Sequence, residues 1–352
     1  MTVSEIHVVE GDRSATARKL SAVLAVFLVG ACIAGLATGS AGTSLWQSVA
    51  DVLQGRTLPV RDKVVLLDIR APRVLLGCLV GAALAVSGAV LQGLFRNPLA
   101  DPGIVGVSAG ASLGAVCAFV LGGTLSLGAS IAPWIVPIAA FCGAWATTLL
   151  LYRVATRRNR TSVATMLLAG IALTALAMAL TGLLVYMAND AQLRDFTFWS
   201  MGSLAGSGWS KVIVAAPLII LPLALSPFLA HGLNGLSLGE AAAGHIGIAV
   251  QRLKSSAILI VAAATGAAVA VSGGIGFVGI VVPHLLRLIS GPDHRFLLFN
   301  SALLGAALLV LADLVSRVII APAELPIGIV TAVIGAPFFL WILLRQRGIV
   351  DL

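Results

Sequence analysis

What most constrains this chain is a succession of about ten apolar runs, most close to twenty residues long and nearly free of charge. They lie at 20–37, 71–95, 103–122, 131–152, 163–187, 210–230, 255–275, 277–289, 297–319 and 326–344. Twenty helical residues rise about 30 Å, the thickness of a bilayer's hydrocarbon core. In hydrocarbon every backbone N–H and C=O needs an internal partner, which leaves helices or closed barrels. A barrel would show ten-residue alternation instead of unbroken runs. Composition agrees, since 59% of the 352 residues are hydrophobic and 10% are charged. A soluble domain carries about 25% charged residues. The expectation is an all-α polytopic membrane protein of about ten transmembrane helices.

Two stretches need separate treatment. Residues 1–19 are polar and end in Arg18-Lys19, and the apolar run that follows from Leu20 to Ala37 exceeds the 7–15 residues of a signal-peptide core. That run is read as the first span, with 1–19 as a cytoplasmic tail. The eighth run, Phe277–Ile289, is too short to cross unaided, contains Pro283, and follows Gly273, Gly274 and Gly276. It reads as a broken or partly inserted segment sheltered by protein.

Orientation follows from the bases. With the N-terminus inside, the 22 Lys and Arg residues divide 14 to 8 in favour of the cytoplasm, and the densest cluster, Arg153–Arg160, lies inside. Both termini are then cytoplasmic, with 20–347 a single transmembrane domain and 348–352 a short tail. The net charge of +8 sits in short loops between spans, which sets it apart from a nucleic-acid-binding face. Cys32, Cys78, Cys117 and Cys142 all lie in apolar runs without metal-ligand spacing and read as small buried hydrophobes.

The chain also repeats itself. Gly81-Ala-Ala-Leu-Ala-Val-Ser-Gly88 recurs as Gly266-Ala-Ala-Val-Ala-Val-Ser-Gly273, and Pro98 and Pro283 keep the same offset of 185 residues. The copies begin in the second and seventh spans, so a duplication would insert with opposite topology as an inverted repeat. Glycines every fourth residue, at Gly77/Gly81 and Gly106/Gly110/Gly114, predict close helix packing.

Chemistry inside the spans is sparse. Asp313 would cost about 2.5–3.5 kcal/mol at a helix centre, and Arg317, four residues on, is placed to pair with it. One locally paired acid is not the relay of acids that a proton-driven transporter carries. None of the four lysines follows a glycine, so a Gly-x-x-x-x-Gly-Lys phosphate loop cannot be built, and any ATP must bind another chain. No nucleophile–base arrangement suggests a membrane-embedded enzyme, and His284 and His294 lack neighbours at ligand spacing.

Two loops carry the functional reading. The segment 231–254, centred on Leu236-Ser-Leu-Gly-Glu-Ala-Ala-Ala-Gly-His-Ile-Gly247, is too polar to insert and too apolar for a free linker. It reads equally as a connector or as a docking surface for a cytoplasmic partner. Arg70-Ala-Pro-Arg73, at the outer mouth of the second span, reads either as headgroup snorkelling or as a site for an external acidic partner.

At this point the sequence resembles the permease subunits of ATP-binding-cassette importers for iron-siderophores, heme and vitamin B12, the FecCD-type family. The resemblance runs from about residue 20 to 347. It is carried by Arg70-Ala-Pro-Arg73, Gly88-Ala-Val-Leu-Gln-Gly93, Asn97–Ser108, Leu236–Gly247, Gly276–Arg287 and Glu324–Thr331 through Gly335-Ala-Pro337. It implies a homodimer in a bacterial inner membrane, two cytoplasmic ATPase subunits holding ATP and Mg, and a periplasmic substrate-binding protein. No cofactor is expected on this chain itself, nor any metal or nucleic acid.

By the same resemblance Arg70, Arg73 and Arg317 look like outer arginines that receive acidic residues of the binding protein. Leu236, Gly239, Glu240, His245 and Gly247 look like the coupling loop that seats in the ATPase. Thr161 and Ser162 fall near the cytoplasmic gate. The stretch Asp190–Leu204 looks most like the heme-importing branch, which makes heme the expected cargo, with a ferric siderophore or vitamin B12 as the alternative and an ion-coupled secondary transporter as the remoter one. Ala71 stands where the family commonly has Leu, and the flanking charges are retained.

Overall fold

A computed structural model of the protein describes residues 13–39, 42–103, 105–122, 131–157 and 160–345. Most of residues 1–19, the whole of 348–352, and Arg158 within the basic cluster lie outside the described residues. Ten helices correspond to the ten apolar runs. They are α1 (Ser14–Ala37), α4 (Ala71–Phe95), α5 (Val107–Leu121), α6 (Ile135–Ala155), α7 (Val163–Met187), α9 (Trp209–Leu225), α12 (Val250–Ser272), α13 (Val278–Ser290), α14 (His294–Val318) and α15 (Ile327–Arg345). Among the described residues seven apolar helical stretches are long enough to cross a membrane, and Val107–Leu121, Val278–Ser290 and Ile327–Trp341 are shorter apolar helices.

Shorter helices fill the connections: α2 (Leu45–Leu53), α3 (Val60–Lys63), α8 (Asp190–Ser200), α10 (Ala230–Leu236) and α11 (Glu240–His245). A two-residue hairpin, β1 (Thr156–Arg157) with β2 (Arg160–Thr161), joins α6 to α7. α1 starts six residues before Leu20, so Arg18 and Lys19 lie within its first turns and the polar tail is shorter than expected. The second span is longer than its apolar run. Helix continues back from α4 through a π-helical turn, Val64–Arg70, to Val60. Pro72 explains the widened turn, because it has no amide to donate and its ring crowds the carbonyl four residues earlier.

α4 is the hub. Every residue from Val80 to Phe95 is buried, and the helix packs against α14, α12, α13 and α9. Small residues make these approaches possible. A methyl at Gly81 would collide with the Gly305 carbonyl on α14, and one at Gly88 with the Gly279 carbonyl on α13. The spaced glycines of α5 act likewise against α6, where Gly110 meets Gly143 and Gly114 meets Ala139. α7 buries only Met166, Gly170 and Ala177, and the rest of its surface is apolar and largely open.

The repeated segments run antiparallel. Arg96 at the end of α4 lies near Gly239, and Glu240 beside it bonds Lys254 at the start of α12. At the other end Arg73 meets Glu324 just before α15, while the Ser272 carbonyl that ends α12 accepts from Ser203. The copies then diverge. α4 runs on beyond Gly88, whereas Gly273 takes φ +72° against the Trp199 carbonyl and stops α12. As a result Pro98 sits in a turn while Pro283 lies within α13, so their shared offset marks no structural equivalence. The short eighth segment is broken off as the glycines suggested, by Gly273 and by Phe277 at φ +67°.

Candidate functional site

The segment 231–254 folds as two short helices, α10 and α11, around tight glycine turns. Gly239 (φ +102°) starts α11 and Gly247 (φ +86°) lies just past its end, both conformations that a side chain would strain. Leu236 and Ala243 point inward and are fully buried, while Leu238 and Ile246 are exposed. A short helix anchored on one side with exposed apolar residues on the other has the form of a docking element. Glu240 and His245 lie at its two ends, Glu240 half-exposed and His245 exposed.

The link inward is Lys254. Its side chain is 1% exposed, and its Nζ donates to the Thr161 carbonyl at 2.6 Å and to Glu240 Oε1 at 2.7 Å. The Thr161 amide in turn donates to Gln251 Oε1 at 2.7 Å, one helical turn from Lys254 on α12. Thr161 also shares a hydroxyl contact with Thr156 at 2.9 Å, and Tyr152 on α6 bonds Ser255 at 2.7 Å. The two residue sets expected at the coupling loop and at the gate therefore meet at one lysine. Ser162 is exposed and accepts from the Thr165 amide as the N-cap of α7. Sequence reasoning counted Lys254 only as a cytoplasmic base. The available signal was a lysine at the polar start of a long apolar helix, where a partner is needed for it to be buried.

A second polar junction lies beside it. Asn234 of α10 donates to Asp293 at 2.7 Å and accepts from the His294 amide at 2.9 Å, tying α10 to the start of α14. Burial pushes the Asp293 carboxyl up, but hydrogen bonds from the Arg295 side chain and amide and from Asn234, with the Arg295 charge, outweigh it. The group therefore titrates below the usual carboxylate range.

At the opposite end Arg70, Arg73 and Arg317 come together, and all three are buried, at 4%, 8% and 9% exposure. Arg73 donates from Nε to Asp313 at 2.9 Å and grips Glu324 with both Nη atoms at 2.9 and 3.0 Å. Arg317 pairs with Asp313 at 3.1 Å, the i,i+4 contact the sequence indicated, and donates to the carbonyls of Thr38 and Gly35. Arg70 donates to the Leu36, Ala37 and Thr43 carbonyls. Sequence reasoning had not paired Arg73 or Glu324. The cost of burying Asp313 is offset by two arginines rather than one. Of the two carboxylates in the cluster, Asp313 is buried and Glu324, with a side chain 39% exposed, lies at its open side.

The residues expected at the coupling loop and the gate thus occupy one end of the helix bundle, and the arginines the other. A family model, that of the FecCD transport family, matches residues 24–345. The chain belongs to the FecCD transport family. It is 48% identical over 281 residues to the hemin transport system permease protein HmuU of Yersinia pestis, covering 80% of this chain and 83% of that one. It is 46% identical over 290 residues to the cobalamin import system permease protein BtuC of Halobacterium salinarum (82% and 76% covered). The Fe(3+) dicitrate permease protein FecD of Escherichia coli is 44% identical over 283 residues (80% and 86% covered). Among solved structures, a metal-chelate type ABC transporter in an inward-facing conformation superposes with a TM-score of 0.82 at 33% identity, covering 94% of this chain and 99% of the other.

The chain is therefore an ABC importer permease, a multi-pass membrane protein and a transport component rather than an enzyme. Within this FecCD permease the stretch Asp190–Leu204 is firmly tied down. Asn189 and Gln192 form a reciprocal cap at the start of α8. The Met201 and Gly202 carbonyls accept from Gly328 and Ile327, joining this stretch to α15. Phe196 stacks on Trp199 at 6.3 Å, leaving Phe198 exposed. A groove of about 680 Å³ runs beside the 231–254 segment, between Phe228, His231, Ile246, Arg252 and Ile260.

Proposed function

We propose that this FecCD permease imports heme across a bacterial inner membrane by alternating access, as a homodimer driven by two cytoplasmic ATPase subunits and supplied by a periplasmic binding protein. Both termini and the α10–α11 face lie in the cytoplasm, in keeping with the 14-to-8 bias of the bases. ATP and Mg belong to the ATPase subunits. The observation that carries the mechanism is the Lys254 junction. A push on α11 through Glu240 reaches the Thr161 backbone through one ammonium group, with 2.7 and 2.6 Å contacts on its two sides. Thr161 and Ser162, at the entry to α7, form the cytoplasmic gate that this displacement moves. ATP-bound and ATP-free partners must differ in affinity for the two positions of α11, since only differential binding shifts a conformational equilibrium.

On the outer side, Arg70, Arg73 and Arg317 form the docking centre for the binding protein. Their guanidinium groups are already engaged, so docking is an exchange. An incoming carboxylate competes with half-exposed Glu324 for Arg73, which keeps two acidic partners throughout.

Heme as cargo is supported by the 48% identity to a hemin permease. The 46% identity to a cobalamin permease favours vitamin B12 as the second reading, and a ferric chelate is a third. Proteoliposomes holding the permease with its ATPase and binding protein decide among them. The expected result is vanadate-sensitive, ATP-dependent accumulation of heme that excess cobalamin leaves unchanged. Accumulation of cobalamin or ferric chelate without heme would overturn the assignment.

A further inference from the structure

Two thiols meet away from both functional ends. Cys32 on α1 and Cys78 on α4 place their sulfurs 3.5 Å apart. Both are half-buried, packed with Leu28, Leu36 and Leu311 around Val74 and Val310. Among the described residues neither Cys117 nor Cys142 has a sulfur within hydrogen-bonding reach. The pair is therefore singled out by geometry. A disulfide spans about 2.05 Å, so closing it from 3.5 Å requires about 1.5 Å of movement, within reach of side-chain rotation and slight helix approach.

The location gives such a bond a consequence. Cys32 lies five residues before the end of α1 and Cys78 seven residues after the start of α4, roughly 7.5 and 10 Å from those ends. Both ends belong to the arginine cluster, where Arg70 and Arg317 hold α1 through its last carbonyls. α1 packs chiefly on α14 and touches α4 only lightly. A bond between the sulfurs would fasten it covalently to the hub helix.

We propose that Cys32 and Cys78 are an oxidisable dithiol that closes to an α1–α4 disulfide within the membrane. The oxidant is a small, permeant two-electron acceptor of the peroxide class. Attack by one sulfur cleaves the O–O bond to give a sulfenic acid and one water. The second thiol then displaces the hydroxyl, the S–S bond forms, and a second water leaves. Each sulfur has lost one proton and one electron, and a thiol reductant reverses the change.

The test uses the detergent-solubilised full-length permease treated with hydrogen peroxide, followed by mass-tagged alkylation in denaturant and peptide mapping. The expected result is loss of two of the four thiols together, a linked Cys32–Cys78 peptide, and full recovery with reductant. In the Cys32→Ser and Cys78→Ser variants no linked peptide should form. The attacking sulfur, left without its partner, should stop as a sulfenic acid that dimedone traps, the other thiol should survive the same exposure, and the rise in thermal midpoint that oxidation gives the wild type should be lost. Retention of all four thiols would overturn the proposal, as would loss of Cys117 or Cys142 at the same rate. So would separate over-oxidation of Cys32 and Cys78 without a linked peptide. The wild-type map stands by itself should either variant fail to fold.

Discussion

Lys254 spends an ammonium group in the protein interior to join two pieces of backbone that are otherwise separate, Glu240 on α11 and Thr161 before α7. Replacing it with Met keeps the apolar stem and removes both bonds. The Glu240 side chain is 45% exposed and returns to water, so the stability cost should be about 1–3 kcal/mol rather than the 3–5 of a fully buried broken pair. Coupling should suffer more. Uptake per ATP hydrolysed is expected to fall by about fivefold or more, as a loss of 1 kcal/mol or so in a linkage allows, with Lys254→Arg retaining part of it. An unchanged ratio in the Met variant would remove Lys254 from the transmission path. At the other end, Glu324→Gln should free Arg73 for an external carboxylate. Binding-protein affinity, measured by titration, should tighten about two- to fivefold, the scale of a part-exposed ion pair, and weakened binding would contradict the exchange. These residues show where the sequence ran out. Asp313 and Arg317 are four apart on one helix and could be paired by counting. Arg73 with Glu324, or Lys254 with Thr161, are 251 and 93 residues apart, and only the packing of α4, α12 and α14 brings them together.

At the scale of the helices, the legible part was large because bilayer thickness fixes run length and lipid demands internal hydrogen bonding. All ten runs became helices, and the glycine-flanked eighth run became the short α13. What was missed has a common cause. α2, α3 and α8 are too polar or too short to show as spans, and the π-helical turn before α4 comes from Pro72 acting on backbone that reads as ordinary loop. The repeat was legible as an antiparallel pair but not in where each copy stops, since a single glycine with positive φ ends α12 where α4 continues. Close approach of backbones makes a sharp prediction here. Gly88→Leu would drive a side chain into the Gly279 carbonyl, costing at least the about 1–3 kcal/mol of ordinary overpacking. Gly182→Leu on α7, which meets nothing within 4 Å, should leave the thermal midpoint in detergent unchanged. Equal midpoints for the two variants would contradict the packing of α13 on the hub.

For the whole molecule, polarity is concentrated at two ends of an apolar bundle. One end presents short helices with exposed Leu238 and Ile246, tied to the interior through Lys254. The other holds a cluster of three arginines and two carboxylates with Glu324 at its open side. A chain of this kind carries no phosphate loop and takes its energy from a partner, so the side on which α11 is displayed decides the scheme. The most direct measurement places a single reactive thiol at Leu238→Cys in a background lacking the four native cysteines and labels it with a membrane-impermeant maleimide. Labelling should occur in inside-out vesicles, fail in intact spheroplasts, and be blocked when the ATPase subunits are added. Labelling from the periplasmic side would contradict the account.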